Sequence, residues 1–239
     1  MSRSRIRLVA LAVVAILPMP LKRLAYRLQG FEVAGSARVG WSLLDARSCH
    51  LGEGVMIGHG NLVTEVGRLD LGDHVRIGHL NIVRGGEEVI LERWSEVLRL
   101  NVINSIVDPI LTTPATPRFR LGAGAIVTTG HKIDFTDRVD IGRRAIIGGR
   151  GSSLWTHNRQ QTGPLTVGEQ TYLGSECRMA PGAVVAPRSV VGMGAVVVGQ
   201  LDRPEWLYGG VPARPIKPLA EHDLVLVERP TREDLPDDV

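Results

Sequence analysis

A six-residue repeat of aliphatic side chains constrains the fold of this chain more than any other feature. In the C-terminal half it comprises Val167, Leu173, Met179, Val185, Val191 and Val197. The residue that follows each of these is Gly or Ala in five of the six cases. Neither the 3.6-residue period of a helix nor the alternation of a plain strand fits this spacing. The repeat therefore predicts a solenoid of short strands joined by tight turns.

The same frame runs through the N-terminal half, with a slip of two residues after position 63 and a weaker stretch between residues 85 and 105. Its members are Val33, Val39, Leu51, Ile57, Val63, Leu71, Ile77, Val83, Leu121, Val127, Phe135, Ile141, Ile147 and Ser153. Three six-residue units close one triangular coil, and stacked coils bury a core that a single coil cannot. We therefore predict an all-β parallel β-helix over residues 31–200. A basic apolar segment (1–30) precedes it, and a C-terminal extension (201–239) with a mobile acidic tail at 234–238 follows it.

Composition agrees with a turn-rich solenoid and excludes some partners. The chain has 28 glycines and only 4% aromatic residues, which favours many tight turns over a few thick cores. The net charge of +3 comes from scattered basic residues, which is unlike a nucleic-acid-binding protein. Two cysteines, Cys49 and Cys177, make no disulfide framework. We expect both to be reduced core residues in a cytoplasmic protein.

The N-terminal segment combines an apolar run at residues 8–17 with basic residues on both sides. These are Arg3, Arg5 and Arg7 before the run, and Lys22, Arg23 and Arg27 after it. The run is shorter than the roughly 20 residues that a membrane-spanning helix needs, and no small-residue cleavage site follows it. The pattern favours a basic amphipathic helix at the inner face of a membrane. A helix packed against the rest of the chain and a signal sequence are the alternatives.

From about Val33 to Val198 the repeat resembles that of the hexapeptide-repeat acyltransferases. The segment Tyr208–Lys217 is similar to the ending with which that family closes its helix and contacts coenzyme A, in particular in the maltose, galactoside and polysaccharide O-acetyltransferase branch. The resemblance implies a left-handed helix, a homotrimer and transfer of an acetyl group from acetyl-CoA to a sugar or glycan hydroxyl. The handedness rests on the resemblance alone. We expect direct transfer in a ternary complex, without an acyl-enzyme.

Transfer to a hydroxyl requires a general base, and histidine suits this role at neutral pH. His157 lies where the repeat breaks for about a dozen residues between Leu154 and Val167, in a position similar to that of the family's catalytic histidine. A surface-loop histidine without function is the alternative. His131 is the second candidate, as the base or as a substrate-binding residue, because the spacing of inward residues widens from six to eight around it. The sequence does not decide between the two.

Three residues near these histidines are candidates for binding the acceptor. Trp155 offers an apolar face to a sugar ring, with packing as an equal alternative. Asn158 provides a polar side chain in the same loop. Asp134 is a candidate contact to the acceptor, and it could instead orient a histidine.

The donor side follows from the resemblance. Gly174, Ser175, Ala183 and Ala195 are small enough to leave open a groove for the pantetheine arm between neighbouring subunits. The last two candidates, Arg214 and Lys217, match family positions that approach the phosphates of coenzyme A. A solvated basic tail is the alternative for both.

Two other functions remain open. The γ-class carbonic anhydrases share this fold and bind zinc through three histidines, and His74 and His79 have the five-residue spacing of two such ligands. The frame nevertheless places His59 and His79 on outward positions of neighbouring coils and His74 elsewhere on the turn, so we expect no metal. A non-catalytic trimeric scaffold is the other alternative.

Overall fold

The computed structural model of the chain describes residues 3–106 and 116–234, with side chains from residue 9 onward. Two helices, α1 (Arg3–Ile16) and α2 (Met19–Leu28), precede a stack of short parallel strands. The strands form three faces of a triangular β-helix. Two of the faces belong to one sheet because β3 and β5 bend around the corner between them.

Each face contains one strand from each successive coil. Face 1 consists of β3 (Leu43–Leu51), β5 (Leu62–Leu71), β7 (Ile82–Arg84), β10 (Val102–Asn104), β13 (Lys132–Asp134), β16 (Ser153–Trp155), β19 (Arg178–Met179) and β22 (Val196–Val197). Face 2 consists of β1 (Glu32–Val33), the second halves of β3 and β5, β8 (Glu88–Leu91), β11 (Arg118–Leu121), β14 (Val139–Ile141), β17 (Leu165–Val167), β20 (Val184–Val185) and β23 (Gln200–Leu201). Face 3 consists of β2 (Arg38–Val39), β4 (Met56–Ile57), β6 (Arg76–His79), β9 (Glu96–Arg99), β12 (Ile126–Thr129), β15 (Ile146–Arg150), β18 (Tyr172–Leu173), β21 (Val190–Val191) and β24 (Trp206–Gly209).

The predicted parallel β-helix is confirmed, and it is left-handed. Aliphatic side chains of successive coils stack in register, as in the pairs Ile57 with Ile77 and Leu173 with Val191. Burial of each such side chain contributes about 1.5–3 kcal/mol. Since the residues of one coil contact only the coils above and below, the core is a continuous column.

The two-residue slip in the repeat has a structural cause. A second inward row on face 2 is present in all these coils. Its members Cys49, Leu69, Val89, Phe119, Val139 and Leu165 are buried, and Ala183 continues the row. The extra length lies before this row, because eight residues separate Val63 of face 1 from Leu71 of face 2, whereas six separate Met179 from Val185. Coils such as the one from Val63 to Val83 are therefore longer than three six-residue units. Both cysteines are free and buried.

Two details of the predicted frame are wrong. Ile133 and Leu154, rather than Phe135 and Ser153, occupy the inward row of face 1, because β13 pairs with β16 in the register Ile133 to Leu154. Phe135 is buried as well, against Phe119. The stretch from 85 to 105 forms regular coils, and its weak appearance comes from the eight-residue step between Val83 and Leu91, which shifts the frame by two residues.

Each end of the β-helix is covered by a non-repetitive segment. At the N-terminal end, Lys22 of α2 is buried and donates to the carbonyl oxygens of Val39 and Gly40, at 3.0 and 2.7 Å. At the C-terminal end, β25 (Arg214–Pro218) pairs antiparallel with β24. Two short 3-10 helices, Glu221–Leu226 and Arg232–Asp234, follow β25. None of the described helices is long and apolar enough to cross a membrane.

The predicted acidic tail lies mostly outside the described residues. Its first residue, Asp234, is held in place by an ion pair with Arg144 and by the main-chain N–H of Thr231. Residues 235–238 are not described.

Candidate active site

Stacking of two coils brings Asp134 and His157 together. Asp134 is the last residue of β13, and β16 lies beside it on the next coil with Trp155 opposite Asp134. Thr156 and His157 follow β16 directly, at the point where the chain leaves the coil. The regular register of face 1 therefore places a carboxylate under the first two residues of the loop.

The Asp134 carboxylate is completely buried and accepts six hydrogen bonds. Its Oδ1 accepts from the main-chain N–H and the hydroxyl of Thr136, at 3.3 and 2.7 Å. Its Oδ2 accepts from the main-chain N–H groups of Thr156 and His157 and from the Thr156 hydroxyl, at 3.1, 3.2 and 2.8 Å. The sixth donor is His157 Nδ1, at 2.7 Å from Oδ2. Such dense hydrogen bonding offsets the cost of burying the carboxylate.

His157 is oriented by this carboxylate and reaches the surface. Because Oδ2 only accepts, Nδ1 carries a proton, and Nε2 of the neutral ring has a free lone pair. The side chain is 13% exposed, so solvent and small molecules have limited access to it. A histidine held through Nδ1 by a carboxylate, with Nε2 open, is the arrangement of a general base.

The loop that carries His157 is a tight hairpin. His157 pairs with Thr162 in an antiparallel bridge, and the main-chain N–H of Gly163 donates to Thr156 O at 2.8 Å. Asn158 Oδ1 accepts from the N–H groups of Gln160 and Gln161, at 2.8 and 2.9 Å. Hydrogen bonds within the loop therefore stabilise its conformation.

The three predicted acceptor-binding residues have different surroundings. Asp134 has no exposed side-chain surface, so it does not contact the acceptor and instead orients His157. The side-chain oxygen of Asn158 is engaged in the turn, although the residue is exposed. Trp155 is 41% exposed next to His157 and is the one of the three with a large free surface.

His131 lies inside the β-helix and belongs to a column of polar corner residues. The column consists of Ser42, Asn61, Asn81, Asn101, His131, Ser152 and Cys177. Asn101 Oδ1 accepts from the N–H of His131 at 2.9 Å, and His131 Nδ1 accepts from the N–H of Ser152 at 3.1 Å. His131 has no exposed surface and is one member of this column. Its side chain does not face the loop of His157.

The hydrogen bonds of His131 fix its protonation. Since Nδ1 accepts, the proton is on Nε2, which lies 2.9 Å from Thr128 Oγ1. Burial lowers the pKa of His131 to about 4, because the charged ring would lose its hydration. The residue is therefore neutral at pH 7 and supports the fold.

Replacement of His131 tests this structural role. The unfolded chain takes up a proton at His131 near pH 6.5, whereas the folded chain does so only near pH 4. Stability from this residue is therefore complete above pH 6.5 and is lost as the pH falls toward 4. We expect the wild type to lose about 2 kcal/mol more than His131→Asn between pH 7 and pH 5, in urea unfolding.

The control variant is His131→Leu. Asn can accept from Ser152 as Asn101 accepts from His131, so His131→Asn should stay within about 1 kcal/mol of the wild type at pH 7. Leu leaves the buried N–H of Ser152 without an acceptor and should cost about 3 kcal/mol. Equal stability of His131→Asn and His131→Leu would show that the Ser152 N–H does not need an acceptor at position 131, which contradicts the hydrogen-bonded column.

Two of the predicted donor-binding residues face the interior. Ala183 and Ala195 have no exposed surface. Their main-chain groups are also used within the β-helix, since Ala183 O accepts from Thr166 N and Ala195 O accepts from Arg178 N. These alanines fill narrow corners of the coil, and the prediction that they line an external groove is wrong.

Gly174 and Ser175 lie at the corner between faces 3 and 1. Gly174 is buried, and a Cβ there would lie 2.8 Å from the main-chain nitrogen of Met193 on the next coil. Close stacking of coils therefore explains this glycine. Ser175 is partly exposed. Because His157 lies at the corner between faces 1 and 2, one chain does not place these residues beside it.

The two predicted phosphate-binding residues lie on β25. Arg214 is exposed, and its Nη1 donates to the carbonyl oxygen of Ala213 at 3.1 Å. Lys217 forms an ion pair with Asp223 at 2.9 Å. This lysine is one reason why the pKa of Asp223 is lowered, after the main-chain N–H of Ala220. Arg214 is thus the freer of the two cations.

The histidines considered as zinc ligands do not converge in the chain. His59 and His79 stack on neighbouring coils with ring centroids 5.7 Å apart, and His59 N–H donates to His79 Nδ1 at 3.0 Å. His74 stacks on Trp94 instead, at 4.0 Å. Among the described residues, no group of three or more His, Cys, Asp or Glu side chains is placed to hold a metal ion.

Sequence reasoning missed the residues that support the site. Thr136 and Thr156 hold Asp134, and no spacing in the sequence singles them out. The polar column had a visible signal, because Asn61, Asn81 and Asn101 recur at the same 20-residue interval as the longer coils. The column becomes visible when the sequence is compared with itself at an interval of 20 residues instead of six.

Comparison with known proteins identifies the fold. No family model matches the chain, and no curated protein matches its sequence. The UDP-N-acetylglucosamine acyltransferase from Campylobacter jejuni is 14% identical, with a TM-score of 0.51 over 81% of this chain and 80% of that protein. PerB from Caulobacter crescentus, solved with CoA and GDP-perosamine, is 21% identical over 73% of this chain and 58% of that protein, with a TM-score of 0.33. The chain thus has the fold of the hexapeptide-repeat acyltransferases.

Proposed function

We propose that the chain is an acyltransferase that moves an acetyl group from acetyl-CoA to a hydroxyl of a sugar or glycan. The observation that carries the proposal is the pair of His157 and the buried Asp134, at the point where the solenoid is interrupted. The shared fold with an acyltransferase from Campylobacter jejuni and the ending at Tyr208–Lys217 support it.

The proposed reaction is direct transfer in a ternary complex. His157 Nε2 takes the proton of the acceptor hydroxyl as its oxygen forms a bond to the thioester carbonyl carbon. The tetrahedral oxyanion collapses, the carbon–sulfur bond breaks, and the CoA thiolate takes the proton from His157. Asp134 stabilises the imidazolium between these two steps because its carboxylate accepts from Nδ1.

The donor site is proposed to lie between copies of the chain in a homotrimer. Ser175 lies at a different corner of the β-helix from His157, so a neighbouring copy would have to bring such a corner to the histidine. Arg214 is proposed to bind a phosphate of coenzyme A, since its guanidinium is exposed and has few contacts within the described chain. We propose a cytoplasmic location for the reaction.

The test is an acceptor screen with the full chain and acetyl-CoA over hydroxyl sugars and amino sugars. We expect acceptor-dependent release of free CoA thiol and a product heavier by one acetyl group, attached through oxygen. An amide-linked product would overturn the O-transfer assignment. Failure to bind acetyl-CoA in calorimetry, together with no release on any acceptor, would favour the non-catalytic scaffold.

Replacement of the two cations on β25 should affect donor binding unequally. We expect Arg214→Ala to raise the KM for acetyl-CoA about tenfold with little change in kcat, through loss of one charged phosphate contact. Lys217→Ala should raise it less, because Lys217 is already paired with Asp223. Steady-state kinetics measures both, with the exposed Arg229→Ala as the control. An unchanged KM in Arg214→Ala would remove this residue from the donor site.

A further inference from the structure

The outer side of α2 carries three leucines that nothing in the described part of the chain covers. Leu21, Leu24 and Leu28 are 54%, 56% and 81% exposed. Their spacing of three and four residues puts them on one side of the helix. The opposite side holds Lys22 and Tyr26, which are buried against the first coil. The leucines therefore take no part in attaching α2 to the β-helix.

The same division into two sides occurs in α1. Leu11 and Ala15 are buried, and α1 packs along β3. Val9, Val13 and Ile16 are 55%, 51% and 67% exposed, at intervals of four and three residues. Each helix thus uses one apolar side for the fold and presents a second apolar side to solvent. We call α1 and α2 together, residues 3–28, the helical cap.

All charged side chains of the helical cap are basic. Six of the chain's 28 Lys and Arg residues, and none of its 25 Asp and Glu residues, lie in the first 31 positions. Arg27 is exposed between Leu24 and Leu28. Lys22 and Arg23 donate to main-chain carbonyl oxygens of the first coil, so Arg27 is the cation shown exposed beside the leucines. Exposed apolar stripes with such a cation, in a segment without Asp or Glu, match the boundary between acyl chains and anionic headgroups. Cap-to-cap contact between two copies would instead bring like charges together.

We propose that the helical cap docks on the surface of a bilayer that contains anionic lipids. Both helices lie in the plane of the interface, with Leu21, Leu24 and Leu28 inserted at the acyl boundary and Arg27 at the headgroups. No spanning segment is involved. The covered end of the β-helix faces the membrane, and the coils that carry the site extend away from it.

The test is co-sedimentation of the full chain with vesicles of phosphatidylcholine alone and of phosphatidylcholine with 30% phosphatidylglycerol. We expect the partition coefficient of the wild type to be at least tenfold higher on the anionic vesicles. The triple variant Leu21→Gln, Leu24→Gln, Leu28→Gln should lower it about a hundredfold, and Arg27→Gln about fivefold on anionic vesicles only.

The matched control replaces three exposed apolar residues elsewhere in the chain by Gln, at Leu80, Leu100 and Val225. It should sediment like the wild type. Because Leu21, Leu24 and Leu28 are exposed, the triple variant should keep its melting temperature, which excludes unfolding as the cause of weaker binding. Equal partitioning of the triple variant and the wild type would overturn the proposal. A wild type that binds neither vesicle would also overturn it. If the wild type then self-associates in sedimentation velocity and the triple variant does not, the three leucines join copies of the chain.

Discussion

Replacement of His157 by Ala should reduce the turnover of acetyl-CoA with acceptor by about a thousandfold or more. General-base catalysis by a positioned side chain contributes about 10²–10⁴ to a rate, and Ala leaves no group at Nε2 to accept the hydroxyl proton. The measurement is acceptor-dependent release of CoA thiol at saturating substrate. Binding of acetyl-CoA in calorimetry should change little, because the proposed phosphate contacts lie on β25.

The fold should survive this substitution. Five hydrogen bonds to the Asp134 carboxylate remain when His157 Nδ1 is removed, so the buried charge keeps most of its partners. Only 13% of the His157 side chain is exposed, but it lies in a loop and not in the core column. His222→Ala, at a side chain that is 76% exposed, is the control and should keep full activity. Turnover retained in His157→Ala would remove His157 from the mechanism, and His131 is too deeply buried to replace it.

The sequence predicted the architecture well because the repeat is a direct consequence of the fold. Each inward residue must fit a narrow triangular core, so aliphatic and small side chains recur at fixed intervals along the chain. The predicted inward positions were wrong where the number of residues per coil changes. At Ser153 and Leu154 a single extra residue in the preceding turn moves the inward position by one, and no local pattern reports such a shift.

The candidate site was predicted less completely, for a different reason. An interruption of the repeat is visible in the sequence, and it singled out His157. The partner of His157 comes from the coil below, and only the register between β13 and β16 shows that Asp134 lies beneath it. The same limitation affected Ala183 and Ala195, since a small residue suits an open groove and a tight inner corner equally well. Burial distinguishes the two, and burial depends on the assembled coils.

Replacement of Asp134 by Asn should lower kcat by about a hundredfold or more while leaving acetyl-CoA binding intact. The amide oxygen can still accept from His157 Nδ1, so the ring keeps its orientation. A neutral amide stabilises the imidazolium less than a carboxylate does, and the proton transfer from the acceptor becomes less favourable. The amide nitrogen can donate to the Thr136 hydroxyl, but the main-chain N–H of Thr136 loses its acceptor, so we expect the variant to fold with a lower melting temperature.

The split between kcat and KM separates this positioning role from a purely structural one. With Asp134 supporting the base, loss of its carboxylate should lower kcat and leave the KM for the acceptor unchanged. Asp140→Asn is the matched control, because Asp140 lies on the next strand, is partly exposed and pairs with Arg138. It should leave both kcat and KM unchanged. A raised KM for the acceptor in Asp134→Asn, with kcat unchanged, would mean that Asp134 only holds the loop together. Six hydrogen bonds to one buried carboxylate support the loop in either case, so the split between kcat and KM, rather than the melting temperature, decides between the two roles.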